Sequence, residues 1–182
     1  MDIIKFLTSR QSNPLLTSPA PCSEHLEQIL AAGMRVPDHG GLTPWHFDIA
    51  SGIGLDRLSQ IFKSVAINSG ADEAKIEKAA NMPFRAPLII IVSTRYQTHE
   101  KVPEIEQAIA AGCAVHAMQM AATALGYGAM WRTGAMSYDD NVKKALDIDA
   151  NNSIVGFLYI GTMQKQLPVK PVRPFVPHVN YL

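Results

Sequence analysis

The sequence predicts one domain of mixed helix and sheet, and three stretches carry that reading. Leu88 to Thr94 (LIIIVST) and Ile154 to Ile160 (IVGFLYI) are short, continuous apolar runs rich in β-branched residues, the pattern of strands buried on both faces. Between them, Glu104 to Leu125 reads as one long helix. Its second half, Ala108 to Leu125, is apolar or small nearly all round, which places it at the centre of the fold. A chain of 182 residues, 47% of them hydrophobic, can bury a core of useful size. No repeat or linker divides it, so residues 1–182 are read as a single domain with an extended C-terminal arm over about 164–182.

The other elements follow in order. Residues 2–9 carry Ile3, Ile4, Phe6 and Leu7 and predict a short helix. The stretch Ser18-Pro19-Ala20-Pro21 interrupts the chain, and Ser23 is the expected N-cap of a helix running to about Met34. His46 to Ser51 alternates as a strand. Leu55, Leu58, Ile61, Phe62 and Val65 have helical spacing, and Asp72 to Asn81 predicts a more polar helix. Gly126-Tyr127-Gly128 ends the long helix. The arm from Gln164 contains Pro168, Pro171, Pro174 and Pro177 but keeps Leu167, Val169, Val172, Phe175, Val176, Val179, Tyr181 and Leu182. Leaving that much apolar surface in water is unfavourable, so the arm is expected to pack, best of all across a partner subunit.

Charge and cysteine usage exclude several classes. Lys plus Arg equals Asp plus Glu at 16 each, and no basic face appears, which argues against nucleic acid as a partner. The first residues lack the charged start and long apolar centre of a signal peptide, and no run of roughly 18 apolar residues suggests a membrane span. Cys22 and Cys113 lie far apart without metal-type spacing, so a reducing cytoplasm is the expected location.

The segment Gly33 to Phe47 (GMRVPDHGGLTPWHF) is the most unusual in the chain. It concentrates Arg35, Asp38, His39, His46, Gly40-Gly41 and two prolines in one connection, a composition suited to holding polar groups around a ligand. Arg10-Gln11-Ser12 offers a guanidinium fork, an amide and a hydroxyl, the donors that recognise phosphate; the alternative is a solvated helix end. Trp131-Arg132-Thr133 repeats that chemistry before Gly134. One anion could be clamped by Arg10 and Arg132 if the fold brings them together; otherwise Arg132 pairs with a surface carboxylate and Trp131 fills core.

Other chemistries are weaker. His39, His46 and Asp48 offer an incomplete metal set, with His46 and Asp48 on one strand face and no third ligand evident. Cys113 and His116 share a helix face, and in so apolar a helix they read as a buried thiol and a hydrogen-bonded core histidine. The nucleophile elbow GxSxG, the phosphate loop and the GxGxxG fingerprint are all missing. No catalytic side chain is assigned.

Taken together, the RQS helix end, GMRVPDHGGLTPWHF, FRAPLIIIV, AGCAVHAMQMAATALGYGAMWRTG and VGFLYIGT resemble the nitroreductase family of flavin mononucleotide (FMN) oxidoreductases, in its compact subgroup. The resemblance runs in order over nearly the whole chain. It implies an α+β fold with a central, mainly antiparallel sheet flanked by helices, and an intertwined homodimer whose C-terminal arms wrap the partner. It implies FMN at the interface, with Arg10, Gln11, Ser12, Trp131, Arg132 and Thr133 from one chain and Arg35 and His39 from the other. It further suggests an NAD(P) contact along Ala121, Ala122, Thr123, Ala124, Leu125 and Gly126. Many family members carry Ser-Ser-x-Asn-x-Gln-Pro-Trp where this chain has Asp38 to Trp45; Gly41 replaces the Asn and Thr43 the Gln, leaving His39 as the substitute contact.

The activity implied is ping-pong hydride transfer from NAD(P)H through FMN to a small nitroaromatic or quinone-like acceptor. Two rivals differ in class: a flavin-storage module without turnover, and a metal-dependent hydrolase on His39, His46 and Asp48.

Overall fold

The structure is a computed structural model and describes residues 2–182. Its helices are α1 (Ile3–Ser9), α2 (Ser23–Gly33), α3 (Ile53–Asn68), α4 (Glu73–Asn81), α5 (Glu104–Ala124), α6 (Ala135–Tyr138) and α7 (Asp140–Ala145). The strands are β1 (Leu16–Thr17), β2 (Trp45–Ser51), β3 (Leu88–Thr94), β4 (Gly128–Arg132) and β5 (Ile154–Met163). Every strand pairing is antiparallel. Strand β5 lies between β3 and β4, β2 flanks β3 at the edge, and β1 pairs with the far end of β5. The expected α+β architecture is therefore the observed one.

Side chains alternate across this sheet and build two cores. Ile89, Ile91, Phe157 and Tyr159 face α3 and α4, where Phe62 meets Phe157 edge-on at 5.4 Å. Ile90, Val92, Leu158 and Ile160 face the opposite way, against α2 and α5. All seven residues of β3 are buried, as its unbroken apolar run requires. Gly33 lets α2 lie close on α5, since a Cβ there would meet Met118 Cγ at 2.8 Å.

Several boundaries differ from expectation for physical reasons. Ser23 is the first residue of α2, and Cys22 holds the cap position without a side-chain bond. Strand β4 carries two of its five residues as Gly and Ala and has little local signal; its partner β5 lies far along the chain and creates it. Strand β5 continues to Met163 because β1 pairs there. The short helices α6 and α7 follow a loop with no apolar period of its own.

Helix α5 is buried on one side only. Ala111, Ala114, Val115, Met118 and Ala122 lie in the core, whereas Ile105 and Ile109 are 66% and 60% exposed. Cys113 is half-buried and His116 exposed, so the buried thiol and core histidine expected from the sequence are not found. The apolar composition is two-sided, with one side against the sheet and Ile105 and Ile109 left exposed on the other. The arm repeats the pattern: Phe175 and Tyr181 are 66% and 91% exposed, and Val176–His178 forms a single 3-10 turn. Among the described residues no helix is long and apolar enough to cross a membrane.

Candidate functional site

The N-terminal segment is fixed from both directions. Asp2 caps α1 by accepting the Lys5 N–H at 3.1 Å, and the chain turns extended at Arg10. Asn13 N–H then donates to the Ala129 carbonyl at 3.0 Å, setting residues 10–13 beside the head of β4. The hydroxyl of Ser12 accepts from Gln119 Nε2 on α5 at 3.3 Å, and the same buried amide donates to Ala129 O. Gln11 is engaged otherwise. Its Nε2 donates to the carbonyls of Leu167 and Pro168, and its Oε1 accepts the Lys170 N–H, while Asn13 Nδ2 holds Lys165 O. These bonds fix where the arm leaves the domain.

Arg10 is the open position in this cluster. Its Nη1 is buried with no hydrogen-bond partner, and the side chain forms no ion pair among the described residues. A buried guanidinium N–H without an acceptor is costly, so the group suits an anionic ligand that supplies one.

Strand β4 delivers its side chains to opposite faces. Trp131 points to the α5 side and its indole N–H donates to Val155 O at 3.2 Å. Arg132 points to the α3 side, with Cζ 5.5 Å from the centre of the Tyr159 ring and a buried, unpartnered Nε. The Arg132 guanidinium therefore faces away from Ser12 and Gln119, which lie on the other face of the sheet. Among the described residues no carboxylate pairs with Arg132 either. Thr133 is exposed at the end of the strand.

Gly156 of β5 makes room for Trp131. A Cβ there would collide with Trp131 Nε1, come within 2.7 Å of its Cδ1, and lie 2.9 Å from the Arg132 carbonyl. Gly156→Ala is expected to destabilise the fold by about 1–3 kcal/mol and to lower the thermal midpoint. Burial pushes the Tyr159 phenol above its usual pKa of 10.0, against a smaller opposing pull from Arg85 and Arg132. The folded state thus holds that proton more tightly than the unfolded chain, so stability is lost as pH rises past 10.0. Thermal melts across that range should fall less steeply in Tyr159→Phe.

The segment after α2 folds onto the other end of α5. Asp38 Oδ2 accepts the Thr43 N–H at 2.6 Å, closing a turn in which Gly40 and Gly41 adopt φ of 77° and 65°. His39 Nδ1 meets Glu106 Oε2 at 2.7 Å, and Arg35 is exposed nearby in the chain. Glu106 and Gln119 are thirteen residues apart on α5, a rise of roughly 20 Å. One chain therefore holds its Arg10–Ser12 cluster and its His39 at opposite ends of a rod.

The metal reading does not gather its ligands. His46 Nε2 lies 3.5 Å from Asp48 Oδ1, but His39 is turned to Glu106. Among the described residues no three His, Cys, Asp or Glu side chains are grouped to hold a metal. In the turn ending α5, Ala122 is buried, and Ala124 and Gly126 are exposed. The N–H groups of Leu125, Gly126 and Tyr127 donate to the carbonyls of Ala121, Thr123 and Ala122, and Thr123 Oγ1 donates to Gln119 O. Sequence reasoning missed Glu106 and Gln119. Gln119 had a signal, an amide inside a small-residue helix; Glu106, in an ordinary acidic first turn, had none.

Comparison with known proteins decides the lineage of this arrangement. The model of the Nitroreductase family matches residues 8–162. The chain belongs to the nitroreductase family. It is 46% identical over 182 residues to the Escherichia coli (strain K12) protein named "Putative NAD(P)H nitroreductase YdjA", covering 98% of this chain and 100% of that one. Among solved structures, a nitroreductase-like family protein from Bacillus cereus superposes with TM-score 0.84 at 20% identity, covering 100% of this chain and 96% of the other. An FMN complex from Desulfovibrio desulfuricans gives 0.76 at 22%, with 100% and 97% covered. The matched region of this nitroreductase covers the sheet up to Thr162, all of α5, and Arg10, Ser12, Gln119, His39 and Glu106.

Proposed function

We propose that the protein is an FMN-dependent NAD(P)H oxidoreductase working as a homodimer. The observation that carries the reading is the buried, unpartnered Nη1 of Arg10 in the RQS segment of a nitroreductase. A phosphate group satisfies a guanidinium N–H with a charge-assisted bond, and the Ser12 hydroxyl adds a second donor beside it. The name of the E. coli relative and the FMN complex from D. desulfuricans support the choice of donor and cofactor.

When bound, FMN supplies ping-pong hydride transfer from NAD(P)H to a nitroaromatic or quinone-like acceptor. Arg10, Gln11 and Ser12 bind the phosphate and ribityl end, Gln11 through its main chain because its side-chain amide holds the arm. Trp131, Arg132 and Thr133 contribute as the rim of β4, with Arg132 acting through its main chain because its guanidinium faces the other way. Arg35 and His39 come from the partner subunit, and the Ala121–Gly126 turn is the candidate contact for the dinucleotide. A two-fold pairing of α5 helices brings the His39 end of one chain to the Ser12 end of the other. The same pairing covers Ile105 and Ile109 and gives the arm a surface to wrap, which supports a dimer.

An absorption spectrum of the purified protein tests the cofactor. Flavin bands, followed by NAD(P)H oxidation on adding a nitroaromatic or quinone, are the expected result. A colourless protein that takes up no added FMN would overturn the reading, and a flavin-loaded protein without turnover would leave only a storage role.

A further inference from the structure

The turn after α2 is held at two points by neighbouring residues in the first turn of α5. Gln107 is buried; its Oε1 accepts the Gln97 N–H, and its Nε2 donates to the carbonyls of Gln97 and Val102. Gln97 Nε2 in turn donates to the Leu42 carbonyl. Beside Gln107, Glu106 Oε2 meets His39 Nδ1 at 2.7 Å. This second contact has a direction. An ionised carboxylate only accepts, so the hydrogen in the contact belongs to Nδ1. A neutral imidazole carries a single N–H, which leaves Nε2 a bare acceptor. That nitrogen has no hydrogen-bond partner among the described residues, and the His39 side chain stays 59% exposed. So exposed a pair adds little to stability. Its effect is to fix which nitrogen of the ring carries the proton.

We propose that Glu106 is a positioning residue of the flavin site. It keeps the His39 proton on Nδ1, so that His39 offers Nε2 as an acceptor to a hydrogen-bond donor of the flavin held by the partner subunit. The proposal rests on the flavin reading above. It adds a residue that touches no flavin itself and acts only through His39.

Nitrogen NMR of the purified, histidine-labelled protein tests it, recorded before and after addition of FMN, with His39→Asn to identify the ring's signals. In alkaline buffer, where imidazoles are neutral, His39 should show a protonated Nδ1 and a bare Nε2. Glu106→Ala should move the proton toward Nε2 and weaken FMN roughly threefold to tenfold in a fluorescence titration. Glu106→Gln keeps an amide oxygen at the same reach, so it should retain the Nδ1–H form and most of the affinity. The Glu106 side chain is 44% exposed, so neither substitution opens the core. An unprotonated Nδ1 in the parent protein would overturn the proposal. So would a Glu106→Ala protein with the parental tautomer or the parental FMN affinity. The two readings fail differently: a parent that takes up no FMN sinks the flavin site itself, whereas a parent that binds FMN and is indifferent to Glu106→Ala sinks only the role of Glu106.

Discussion

Replacing Ile109 with glutamate is expected to convert the proposed dimer to single chains and, by the same change, to empty its proposed flavin sites. Ile109 stands on the outward side of α5, where it is 60% exposed. Burying an isoleucine side chain stabilises by about 1.5–3 kcal/mol, and two-fold symmetry applies every such gain or loss twice. Glutamate at that position forfeits the gain and adds a charge that association would have to strip of water, in both chains at once. Sedimentation or light scattering should report a monomer for the variant and a dimer for the parent protein. The isolated chain should keep its helix content, because the sheet-facing side of α5 is untouched. Flavin should fall with the dimer, since the proposed site takes Arg35 and His39 from the other subunit. A dimer of unchanged mass and flavin content in Ile109→Glu would refute the proposed interface.

Arg10→Ala is expected to weaken flavin retention without altering assembly. One charge-assisted hydrogen bond contributes about 1.5–3 kcal/mol, which corresponds to roughly tenfold to a hundredfold in dissociation constant. The folded state itself should tolerate the change, because Arg10 Nη1 has no partner in the chain to leave behind. Fluorescence titration with FMN measures the shift. Parent-like affinity would show that the phosphate is held elsewhere, and Arg10 would revert to a helix end.

The sheet was legible wherever the chain carried its own period. Leu88 to Thr94 is a strand end to end, and the long helix begins at Glu104 as its pattern requires. Strands β1 and β4 were not legible, because a two-residue strand and a glycine-bearing one take their form from β5, far away in sequence. The candidate site divides in the same way. Arg10, Ser12 and His39 are visible as residue types, but their partners Gln119 and Glu106 are set by tertiary packing. The facing of Arg132 away from Ser12 depends on the register of β4, which no local motif encodes. The outward side of α5 misled for a related reason. Composition reports that a surface is apolar, not whether the same chain or another one covers it.

The separation of His39 from Ser12 along α5 has a genetic consequence. In the proposed dimer each site draws one half from each chain, so an Arg10→Ala chain and a His39→Ala chain damage different halves. A mixed dimer of the two gathers both lesions into one site and leaves the other site wild type. Two alleles that each weaken flavin retention on their own should therefore complement when expressed together, restoring tight sites to at most half the parental number.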